Sequence, residues 1–149
     1  MFCFHEGVVH NSDGSDVDPM PAYYNRTIAT KSIPETVDSD NYWNPKNWLA
    51  DLIIIELGSN DYGSLPFPSD EEFQRGYIEL LNQLRQDYPS ADIICVGGQS
   101  FSLKNIEYVC KDTNTDPKVN FVSLADTIFD GMYIIVCYYI HHYNRHRHH

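Results

Sequence analysis

From residue 51 onward the chain alternates two kinds of apolar pattern. Residues 52 to 57 are apolar at every position but Glu56, as in a parallel-sheet strand covered on both faces. Ser69-x-x-Glu72 then has the spacing of a capping box, in which each side chain satisfies a first-turn backbone N–H, and predicts a helix start. Phe73, Tyr77, Leu80, Leu81, Leu84 and Tyr88 recur at spacings of three and four, which makes one face apolar and turns Glu79, Gln83 and Gln86 outward. Pro89 ends the helix. Residues 91 to 96 form a second short buried strand closed by Gly97-Gly98. Leu103, Ile106, Val109 and Cys110 stand at helical spacing, and residues 119 to 124 supply a third strand. Strand, helix and strand on short links make a βαβ unit with a right-handed connection, so the class is α/β. Residues 1 to 45 show neither period and are expected to be irregular connection.

Composition narrows the partners. A chain of 149 residues fits one domain. Its 10 Lys and Arg against 21 Asp and Glu leave a formal charge of -11, which repels phosphate backbones and argues against nucleic acid. The apolar octet at 133 to 140 is far short of the roughly 20 residues of a membrane helix, so no membrane span is expected. No basic start precedes an apolar run, so no signal peptide is expected either. Cys3, Cys95, Cys110 and Cys137 form no CxxC pair and are expected to be free thiols. Five of the seven His lie in the last nine residues, where a tail without fixed geometry gives no reason to assign a metal.

The chemistry is expected at Gly58-Ser59-Asn60-Asp61, because ligands in open parallel sheets bind outside the carboxyl ends of the strands. Gly58 lets the backbone turn or approach a ligand closely. Asn60 offers two amide N–H donors to a negative oxygen that develops in a transition state. Asp61 is suited to hold the loop through backbone N–H groups. The same four residues also make an ordinary turn. Of the nearby aromatics, Trp48 is assigned to packing, Trp43 and Tyr42 either stack on a sugar or cover the sheet end, and Tyr62 is the better ligand candidate.

Read with its flanks, "NYWNPKNWLADLIIIELGSNDYGSLPFPSDEEFQRGYIELLNQLRQDYPSADIICV", together with "MPAYYNRTIAT" upstream, resembles the SGNH (GDSL-like) hydrolases, in particular the carbohydrate esterase family 2 deacetylases. The resemblance spans residues 5 to 125. It implies a three-layer flavodoxin-like sandwich with a parallel sheet, here incomplete, and a Ser-His hydrolase of acyl esters, often sugar acetates, with no metal or organic cofactor. Asn60 matches the family's oxyanion Asn. Gly7, in "HEGVVHN", is the candidate backbone donor, and Gly58, Asp61 and Tyr62 are the candidate binding positions.

Two blocks of the family pattern are missing. No Gly-Asp-Ser occurs, and Asp13-Gly14-Ser15-Asp16 reads as a turn. Asp130 matches the first position of an Asp-x-x-His block, but Tyr133 stands where the His belongs. A Tyr with a pKa near 10 does not serve as a base at neutral pH as imidazole does. His141 and His142 are alternatives that nothing sets against a serine, and His5 and His10 are expected to be surface loop residues. The expectation is a partial hydrolase domain over residues 1 to 130, with a divergent apolar and then His-rich tail over 131 to 149. Such a fragment is weakly active or inactive. The rival expectations are a non-catalytic glycan-binding module and an inert product.

Overall fold

The computed structural model describes residues 7–16, 19–24, 44–47, 49–98 and 101–125. Among them lie three strands, β1 (Leu52–Ile55), β2 (Asp92–Gly97) and β3 (Val119–Ser123), and three α-helices, α1 (Met20–Tyr23), α2 (Asp70–Asp87) and α3 (Leu103–Tyr108). The strands make one parallel sheet in the order β1-β2-β3, with Ile53 opposite Ile93 and Ile93 opposite Val119. Parallel neighbours need a crossover, and α2 and α3 supply the two.

Helix α2 starts where the capping box predicts. The Ser69 Oγ accepts from the N–H of Glu72 at 3.2 Å, and Asp70, Glu71 and Glu72 place negative charge on the positive end of the helix. Its inner stripe, Phe73, Tyr77, Leu80 and Leu84, is fully buried against Ile53, Ile55 and Ile93. At the other end Arg85 donates from Nε to Asp116 at 2.6 Å and from Nη1 to the carbonyls of Tyr88 and Ala91. One guanidinium thus joins the end of α2 to the turn before β3.

Two expectations are corrected. The run 52–57 is not covered equally on both faces: Ile53 and Ile55 are fully buried, whereas Leu52 and Ile54 are half-buried. The cause is the packing of α2 on one face, so burial alternates with the pleat. The stretch expected to be irregular contains a helical turn, α1, which begins just after Pro19 and ends at Tyr23, with Tyr24 as its C-cap. The Tyr24 hydroxyl donates to the carboxylate of Asp87 and ties that turn to the end of α2.

Cys95 and Cys110 are buried free thiols. No helix among the described residues is long and apolar enough to cross a membrane. The tail from 131, with Tyr133, His141 and His142, lies outside the described residues, as do His5, Tyr42, Trp43 and Trp48.

Candidate functional site

The strand β1 delivers its last residues into a sharp turn. Gly58 has φ of +121°, a conformation that L side chains rarely adopt, and it is buried. A Cβ on Gly58 would stand 2.8 Å from the Cβ and Oγ of Ser102 and 2.9 Å from Cζ of Phe73. The close approach that Gly58 permits is therefore to the start of α3 and to the core. Asn60, Asp61 and Tyr62 then form a single 3-10 turn.

With three residues per turn, consecutive side chains point about 120° apart. Asp61 points to the N-terminal loop and is fully buried. Its Oδ2 accepts from the N–H of Val8 at 2.8 Å, and its Oδ1 accepts from Val9 at 2.7 Å and His10 at 2.9 Å. Burial pushes the Asp61 carboxyl above its ordinary range, and the three N–H bonds pull it part of the way back. A carboxylate enclosed in this way does not meet a ligand. Asp61 acts as a positioning residue.

What it positions is the loop that begins at Gly7. Gly7 is buried, its carbonyl accepts from Met20 at 2.8 Å, and a Cβ there would overlap the His10 carbonyl and the Asp61 carboxylate. The structure thereby sets the loop of Gly7 against the turn of Asn60. His10 is corrected from its expected place on the surface: its side chain is only 13% exposed, with Nε2 3.8 Å from Oε1 of Glu72 on α2.

Tyr62 takes a different side of the turn. Its ring meets Phe67, Phe73 and Phe101 at centroid distances of 5.7 to 6.0 Å. Phe73 is buried, but Phe67 and Phe101 are 42% and 70% exposed and follow the carboxyl ends of β1 and β2. Asn60, at the start of the turn, is half-buried. Asp130 lies outside the described residues. Those residues contain no cluster of three or more His, Cys, Asp or Glu able to hold a metal ion.

No family model matches the chain. The cellulase/esterase CelE of Acetivibrio thermocellus is 32% identical over 56 residues, which are 38% of this chain and 7% of that protein. A family two carbohydrate esterase from Clostridium thermocellum, solved in complex with cellohexaose, superposes with a TM-score of 0.66 at 24% identity, over 81% of this chain and 37% of that one. An acetyl xylan esterase from the rumen bacterium Butyrivibrio proteoclasticus gives 0.64 at 22% identity, over 81% and 40%. The chain has the SGNH fold of the family two carbohydrate esterases. It spans well under half the length of either solved esterase.

Two residues near the site escaped the sequence reading. Asn105, 2% exposed on α3, joins α2 to Tyr62 through its amide. Its signal was a polar residue on the buried stripe that also holds Ser102, Ile106 and Val109. Glu56, the one break in the apolar run, has its carboxyl pushed up by burial, and its Oε1 lies 3.8 Å from where a Cβ on Gly98 would stand.

Proposed function

We propose that this chain carries the oxyanion-binding part of an acyl-ester hydrolase site of the carbohydrate O-deacetylase lineage. The observation that supports this most directly is the clamp of Asp61 on the backbone of Val8, Val9 and His10, which brings the Gly7 loop to the Asn60 turn. In such a site the Asn60 amide and the Gly7 N–H hold the oxygen that becomes negative when an ester carbonyl is attacked. The shared fold and the CelE match support the same reading. Carbohydrate is the favoured substrate class, since one superposing esterase is solved with cellohexaose and another acts on acetyl xylan by name.

The residues of this chain do not complete the relay. There is no Gly-Asp-Ser nucleophile block, and Tyr133 follows Asp130 where a His would be required. We therefore expect purified protein to hydrolyse p-nitrophenyl acetate no faster than its Asn60→Ala variant. Loss of one oxyanion donor from a working site costs about a hundredfold. A hundredfold gap between the two proteins would show that the chain is active.

A second reading is favoured by the aromatic rim of Tyr62, Phe67 and Phe101: a glycan-binding module without turnover. Titration with acetylated oligosaccharides, with Tyr62→Ala as control, separates it from an inert chain.

A further inference from the structure

We propose that Tyr62 donates a hydrogen bond to an oxygen of a bound neutral carbohydrate, and that Asn105 is the positioning residue that commits it to donate. The inference rests on the carbohydrate reading above and adds to it the direction of one hydrogen bond.

Asn105 has one acceptor oxygen and two N–H hydrogens. One terminal atom of its amide lies 2.8 Å from Oδ1 of Asp70. Hydrogen bonds from Asn105 and from Lys104, whose Nζ lies 2.7 Å from Oδ2, keep the Asp70 carboxyl below its usual range, so it is ionised and only accepts. The atom facing Asp70 is therefore the nitrogen. The oxygen then faces Gln74, whose Nε2 donates to it at 2.8 Å. The second hydrogen on the Asn105 nitrogen goes to the Tyr62 hydroxyl, 3.2 Å away.

In that bond the Tyr62 oxygen is the acceptor. Its own proton has no acceptor among the described residues. Burial raises the Tyr62 pKa above the ordinary phenol value, so the proton stays on at neutral pH. Tyr62 is only half-buried and shares its cluster with the exposed rings of Phe67 and Phe101, which follow the carboxyl ends of β1 and β2, the side on which open parallel sheets bind ligands. A ligand that sets acceptor oxygens beside apolar ring faces fits this arrangement, and a sugar has both. The formal charge of -11 selects against acidic sugars.

The test is calorimetric titration of the whole chain with cellohexaose, using wild type, Tyr62→Phe, Asn105→Asp and the double variant. Tyr62→Phe keeps the ring and removes only the hydroxyl, and we expect binding about three- to tenfold weaker. An Asp at 105 has no hydrogen to give Tyr62 and accepts the Tyr62 proton instead, so a similar loss is expected. The double variant should be no weaker than either single one, because all remove the same bond. Affinity unchanged in Tyr62→Phe overturns the donor role and leaves glycan binding standing. Losses that add in the double variant overturn the role of Asn105 alone. A wild-type chain that does not bind cellohexaose overturns both this inference and the carbohydrate reading. Should Asn105→Asp fail to fold, Tyr62→Phe decides the donor role by itself.

Discussion

At the scale of single residues, Asp61 and Gly58 do the structural work that places Asn60. Asp61 closes a contact between segments more than fifty residues apart, satisfying the buried N–H of Val8 and the part-buried N–H groups of Val9 and His10. An unmet buried donor costs about 1 to 3 kcal/mol. Asp61→Ala is accordingly expected to destabilise the protein by about 3 kcal/mol or more, measured as the shift in urea midpoint. Gly58→Ala meets two obstacles together, the positive φ and the contacts with Ser102 and Phe73, and a loss of about 2 kcal/mol or more is expected from strain of this kind. A thermal midpoint equal to wild type in either variant would remove the physical basis assigned to that residue.

At the scale of elements, the two ends of α2 are stabilised differently. The N-terminal end depends on a local cap, and Ser69→Ala should lower stability by about 1 kcal/mol. The C-terminal end depends on the bond between Arg85 and Asp116, which reaches across to the turn before β3. The Asp116 carboxyl lies below its ordinary range, chiefly through the backbone N–H of Lys118 and then through Arg85. A carboxyl with a depressed folded pKa contributes stability that is present above its unfolded value and lost as pH falls through the folded one. Wild type should thus lose more stability than Asp116→Asn as pH is lowered through and below the ordinary carboxylate range. Urea midpoints at a series of pH values measure this directly, and parallel pH curves for the two proteins would contradict it.

At the scale of the molecule, one core joins sheet, helices and N-terminal loop, since Val8, Ile53, Phe73, Leu80, Ile93 and Val109 belong to one buried cluster. A single cluster of this kind predicts one cooperative thermal transition, which would exclude an inert, unfolded product. Leu80→Ala, at a fully buried position, should cost about 3 kcal/mol and move that transition as a whole. The division of labour between sequence and tertiary structure is also visible here. Among the described residues, periodicity and caps placed each of the three strands and both crossover helices to within a few residues, because a 3.6-residue stripe and a Ser-x-x-Glu box are local facts. The resemblance, too, was carried by blocks in linear order. What the chain alone could not decide was where the turn side chains go. Asp61 finds its partners at Val8, Val9 and His10, and Tyr62 finds its partner at Asn105. Those pairings exist only once the sheet has brought distant segments together, and no local spacing encodes them.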